Sequence, residues 1–95
     1  RIEQADLNEK MLLELTQAAN NLDEAKLEAA LADRSLEQAD ENRRISKGEY
    51  EAGLEPLSDH LEAQALWQQA YETKVDAHFQ LYLSYAKYLK TVGQL

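Results

Sequence analysis

Cysteine is absent from the 95 residues, which excludes a disulfide framework and thiolate metal sites. Proline occurs once, as Pro56, and glycine only as Gly48, Gly53 and Gly93, so most of the chain carries neither helix breaker. Basic residues are scarce: ten Lys and Arg stand against eighteen Asp and Glu, for a net charge of -8. Such an acidic chain repels a phosphate backbone, which argues against a nucleic-acid partner, and it lacks the basic face that holds a helix on a membrane surface. No run approaches the roughly 18 apolar residues needed to span a bilayer, and no charged start followed by an apolar core marks a signal peptide. The segment is therefore expected to be soluble. Hydrophobic content is 44%, much of it alanine, which suits a narrow seam better than a thick core.

Between these absences lies a strong periodicity. Met11, Leu15, Ala18, Leu22, Ala25, Ala29, Ala32, Leu36 and Ala39 recur in alternating steps of four and three, the pattern of a helix packed lengthwise on another helix. The register continues into Arg43, Ser46 and Tyr50, so the seam turns polar towards its end. A weaker stripe runs through Leu12, Ala19, Leu27, Leu31 and Ile45. Beyond Pro56 a second register starts at Leu57 and Leu61 and passes through Gln64, Gln68, Tyr71, Val75, His78, Tyr82, Tyr85, Leu89 and Val92. An offset set follows Ala63, Trp67, Ala70, Ala77, Leu81 and Tyr88. Two stripes per helix imply neighbours on more than one side, and the second set on each helix is read as the outward one.

These patterns predict an all-α fold, a long antiparallel two-helix coiled-coil hairpin. One helix covers about 2–52, a turn 53–56, and a second helix about 57–92. Gly53 suits the left-handed residue that ends a helix, and Pro56 the first turn of the next, where a missing N–H costs nothing. At about 1.5 Å per residue the helices would be roughly 75 and 54 Å long, so the N-terminal end should overhang by two turns or more. With no methionine at the start, this mismatch predicts a piece of a larger protein.

Candidate chemistry is sparse. Glu49, Glu51, Glu55, Asp59, Glu62 and Glu72 lie between Gly48 and Thr73 with no Lys or Arg among them. Acids at a helix start are favoured by the helix dipole, which explains Asp59 and Glu62 without any further role. His60 beside those two acids mimics part of a metal cluster, but no second histidine at i+4 completes it. His60 and His78 would stand roughly 27 Å apart and cannot share an ion. His78 is expected on the seam with its polar edge satisfied. Trp67, Tyr71, Phe79, Tyr82, Tyr85 and Tyr88 have helical spacing over two faces, which favours inter-helix packing over a ligand box. Ser46, Ser58 and Ser84 have no base and orienter, so no catalytic residue, metal or cofactor is expected and an enzyme is not supported.

The run Tyr50-Glu51-Ala52-Gly53-Leu54, followed by Leu57, Asp59, Leu61 and Ala63, combines an aromatic, a Gly-Leu turn and an Asp-x-x-acid-Ala helix start. With Leu36-Glu37-Gln38-Ala39 and Glu41-Asn42 upstream, and AANNLDEA at 18–25 as a looser match, it resembles the TolC-like outer membrane efflux family, the outer membrane factors of tripartite export systems. The resemblance covers most of the chain; its helical parts are unspecific and its tip carries the specificity. It implies a periplasmic helical hairpin of an outer membrane channel, assembled as a homotrimer, whose tip meets a membrane fusion adaptor protein. On that basis Gly53 and Leu54 fall on the adaptor-docking turn, Asp59 and Glu62 on acids that ring the tunnel entrance, and Tyr50 on an aromatic that holds the closed state. Departures are present: Glu55 stands where some members carry a basic residue linking adjacent hairpins, Arg43 replaces an apolar residue, and Pro56 and His60 are outside the pattern. The Tyr50 and Glu62 matches favour the second of the family's two hairpin repeats. Cut from its trimer, the hairpin is expected to self-associate into a small bundle. The alternative is a generic coiled-coil interaction module of another class. Spectrin-like repeats need a third helix, and an adaptor's own hairpin would lack this Gly-Leu turn.

Overall fold

A computed structural model describes the backbone of residues 2–94 and the side chains of residues 6–94. It contains two helices, α1 over Ile2–Glu51 and α2 over Leu57–Gly93, folded back on one another as an antiparallel hairpin 77 Å long and about 15 Å across. Sequence patterning and structure agree on the fold class and, within a residue or so, on the helix ends. The 50-residue α1 outruns the 37-residue α2 by roughly 20 Å at about 1.5 Å per residue. Thr91 near the end of α2 lies across a groove from Glu14 and Gln17, so α1 continues beyond its partner and Leu7 is exposed.

The α1 side of the seam follows the sequence pattern. Ala18, Leu22, Ala25, Ala29 and Ala32 are the buried apolar residues, flanked by half-buried Met11, Leu15, Leu36 and Ala39. Alanine at successive seam positions brings two helix axes close together, because little side-chain volume separates them. The same choice keeps the core thin: none of the described residues has a large, fully buried side chain. Hydrophobic stabilisation grows with apolar area removed from water, so it is spread thinly along the hairpin rather than concentrated at a centre.

On α2 the two stripes are inverted relative to expectation. The residues that turn inward are His60, Ala63, Trp67, Ala70, Lys74, Ala77, Leu81, Ser84, Tyr88 and Thr91, the offset set extended by polar positions. Leu57, Leu61, Tyr71, Val75, Tyr82, Tyr85, Leu89 and Val92 form an exposed stripe, with Tyr82 at 69%. Packing explains the inversion. Ala63, Ala70 and Ala77 continue the small-residue contact that α1 begins, whereas a row of leucines and tyrosines would hold the helices apart. Of the six clustered aromatics, only Trp67 and Tyr88 sit at the seam; Tyr71, Phe79, Tyr82 and Tyr85 point outward. On α1 the weaker stripe is exposed at Leu12, Leu27, Leu31 and Ile45, as expected.

Polar side chains pin the axial register. His78 lies beside the seam rather than in it, and its Nε2 is 2.8 Å from Asp33 Oδ1, which also lies 3.8 Å from Lys74 Nζ. Nearer the turn, the Arg43 guanidinium sits 4.0 Å from the centre of the Trp67 ring while donating to Asp40 Oδ1 at 2.7 Å. The arginine that breaks the apolar register of α1 is thus matched by the tryptophan of α2. Trp67 in turn stacks on Tyr71, with centroids 5.6 Å apart.

Candidate functional site at the hairpin tip

The end of α1 is closed by backbone hydrogen bonds. The Gly53 N–H donates to the Tyr50 carbonyl at 3.0 Å, and the Leu54 N–H to the Glu49 carbonyl at 2.8 Å. This pair of nested bonds is a Schellman motif with Gly53 at its left-handed position, φ +76°. That motif often carries an apolar contact between the residue after the glycine and the one that accepts its bond. Here those residues are Leu54 and Glu49. A carboxylate side chain offers leucine no cover, and Leu54 is left 80% exposed, the most exposed large hydrophobic among the described residues.

The return strand of the turn is tied down by side chains. Ser46, buried at the end of the seam, donates through Oγ to Glu55 Oε1 at 2.8 Å. Glu49 lies close enough to Glu55 to share a hydrogen bond in its protonated form. That bond, then partial desolvation and the Glu55 charge, hold the Glu49 carboxyl above its ordinary range. Pro56 is extended, with φ −71° and ψ 157°, and serves as the N-cap of α2. It therefore sits one residue before the first helical turn, not within it. Its carbonyl accepts from the N–H groups of Asp59 at 3.2 Å and His60 at 3.3 Å. No side chain caps this helix, and Asp59 supplies the negative charge in its first turn.

Of the residues singled out in the sequence, Gly53 and Leu54 form the extreme end of the hairpin. Asp59 and Glu62 follow on the exposed first turns of α2, and among the described residues neither has an ion pair within the chain. Tyr50 stands on the last turn of α1, where its ring stacks on His60 with centroids 5.3 Å apart and planes 5° from parallel. His60, which in sequence only mimics part of a metal cluster, is a buried seam residue that joins the tip to the shaft. Its spacing from Ala63 and Trp67 could have placed it there. Among the described residues no group of three or more His, Asp and Glu side chains is arranged to hold a metal ion. Chemically, the tip offers one apolar anchor on a fixed turn, surrounded by carboxylates. No protein-family model, curated protein or solved structure matches the chain.

Proposed function

We propose that this chain is the periplasmic coiled-coil hairpin of an outer membrane efflux channel, forming part of the tunnel wall and docking a membrane fusion adaptor at its tip. One observation carries the reading: Leu54 projects almost bare from a turn whose backbone is fixed by the Gly53 motif. A leucine held rigidly in water offers an anchor without the ordering cost of a flexible loop. It also stands at the position where the resemblance puts adaptor contact.

The exposed stripes on α1 and α2 support the same proposal. In a homotrimeric channel they would be covered by neighbouring hairpins; in the isolated chain they would drive association into a small bundle. Asp59 and Glu62, repeated about the axis, would concentrate negative potential at the entrance and favour cations. Tyr50 and the acids near it would set the closed-to-open balance while the shaft moves as a rigid lever.

A photo-crosslinking side chain in place of the exposed Ala52, beside Leu54, in the intact channel tests docking. The expected product joins the hairpin to an adaptor, and Leu54→Asp should abolish it while helicity is retained. Crosslinks confined to other coiled-coil proteins would favour the generic interaction module. For the entrance role, neutralising Asp59 and Glu62 together and finding single-channel ion selectivity unchanged would remove the acidic ring from the account.

A further inference from the structure

The outward stripe of α2 runs from Leu57 to Val92 in unbroken steps of four and three, and not one of its positions is Asp, Glu, Lys or Arg. Its leucines, valines and tyrosines are 40–69% exposed. A helix face meant for water carries charge, whereas an uncharged heptad stripe of this length is built to meet another helix.

The charges around the stripe indicate which helix, and in which direction. Residues 57–72 hold Asp59, Glu62 and Glu72 with no Lys or Arg, and residues 73–93 hold Lys74, Lys87 and Lys90 against Asp76. The tip half of α2 therefore carries -3 and the far half +2. A second α2 complements that polarity when it runs the other way and opposes it when it runs parallel. Lys74 is shared with Asp33, but among the described residues Asp59, Glu62, Lys87 and Lys90 have no ion pair within the chain.

We propose that two copies of the chain pair antiparallel through this stripe, about a two-fold axis near residue 76, between Val75 and His78. In that register Leu61 meets Val92 of the second copy, Gln68 meets Tyr85 and Tyr71 meets Tyr82, since the members of each pair are equidistant from the axis. Glu62 and Lys90 are four heptads apart, so they share one flank of α2 and come level with each other across the axis, as two symmetric pairs. Asp76 comes level with its own copy, a like-charge contact.

The same register accounts for both exposed ends. The turn lies about 22 residues, or roughly 33 Å, from the axis, whereas α2 stops about 17 residues beyond it. Each turn thus reaches past the end of the other copy's α2 and alongside its α1 overhang, bringing the bare Leu54 level with exposed Leu12. A stripe about 50 Å long and 10 Å wide covers roughly 500 Å² on each copy, near the 1,000 Å² total of a specific interface before the tip contacts are added. The pairing does not rest on the channel reading, in which neighbouring hairpins point the same way. Where both hold, it withholds Leu54 from an adaptor until the pair separates.

The test uses single-cysteine variants of the whole chain, which has no cysteine of its own. Under mild oxidation a mixture of Leu61→Cys and Val92→Cys should give a disulfide-linked pair, while neither variant alone should, because like positions would be roughly 46 Å apart. Gln68→Cys mixed with Tyr85→Cys repeats the measurement without removing a leucine or valine contact. In sedimentation equilibrium Glu62→Lys should raise the Kd of the pair about fivefold, addition of Lys90→Glu should restore it, and Asp76→Asn should lower it. Disulfides within either single variant, a two-copy species without the mixed disulfide, or a monomer at every concentration would overturn the proposal. An adaptor crosslink at Ala52 is a separate readout, so either reading can fail while the other stands. Circular dichroism of each variant confirms that the hairpin is intact.

Discussion

Gly48 and Gly53 are five residues apart, and adding the same methyl group to each should change stability in opposite directions. A Cβ built on either glycine meets no atom within 4 Å, so steric exclusion contributes nothing at either site. The difference lies wholly in the backbone. Gly53 has φ +76°, where an L-residue is disfavoured by about 1–2 kcal/mol, so Gly53→Ala should destabilise the hairpin by that amount. Gly48 lies inside α1, where alanine is preferred over glycine by about 0.8–1 kcal/mol, so Gly48→Ala should stabilise it. The two variants should then differ by roughly 2–3 kcal/mol. In a chain of this size each kcal/mol moves Tm by about 4–8 °C, so thermal melts followed by circular dichroism resolve the contrast easily. Protein concentration must be held equal, because association through the exposed stripes would itself raise Tm. Gly53→Asn should fall between Gly53→Ala and the parent, since asparagine tolerates the left-handed region. If Gly53→Ala melted with or above the parent, the nested hydrogen bonds of the turn could not be as described.

Three further outcomes follow from the packing. Ala29 is 3% exposed at the seam, so Ala29→Leu should lower stability by about 1–3 kcal/mol in denaturant titrations, whereas Ala30→Leu on the exposed side should change it little. A double-mutant cycle combining Arg43→Met with Trp67→Leu should give a coupling of about 0.5–1 kcal/mol, and a value near zero would dismiss the cation–π contact. The Glu49 carboxyl is held above its ordinary value of 4.5 by its shared hydrogen bond with Glu55, by desolvation and by the Glu55 charge. Folding therefore favours its protonated form: the stabilisation is complete below 4.5 and is lost as pH rises through the higher folded-state value. Glu49→Gln should flatten that fall in a pH series of melts; a slope unchanged by the substitution would contradict the pairing.

How far the sequence could be read depended on whether a pattern had a unique phase. The α1 seam was legible because its alternative stripe is weak, and the turn was legible because Gly53 and Pro56 are punctuation with few other uses. On α2 both stripes repeat in steps of four and three, so periodicity establishes the helix without saying which way it faces. Hydrophobicity then selects the wrong stripe, since Leu57, Leu61, Tyr71 and Val75 are more apolar than His60, Ala63, Ala70 and Lys74. The resolving signal was on the other helix. Where α1 becomes polar at Arg43 and Ser46, its partner must be able to match it, and counting back from the turn brings Trp67 and His60 to that level. At the tip, the prominence of Gly53 and Leu54 was visible in sequence. The Tyr50–His60 stack and the Ser46–Glu55 bond were not, because each joins positions whose proximity exists only once the turn has closed.

The alanine seam has a mechanical consequence. Deep interlocking side chains resist sliding as well as separation, but small ones resist mainly separation. Among the described residues, the side-chain hydrogen bond joining α1 to α2 across the shaft is that of Asp33 with His78, near mid-length. The hairpin should therefore be stiff against bending, as any paired helix is, yet compliant in shear, with the turn and the Arg43–Trp67 contact at one end and this mid-shaft detent resisting axial slip. A load applied at Leu54 would be transmitted along the rod as a push rather than a flexure, and Asp33 is where a yield point would first appear.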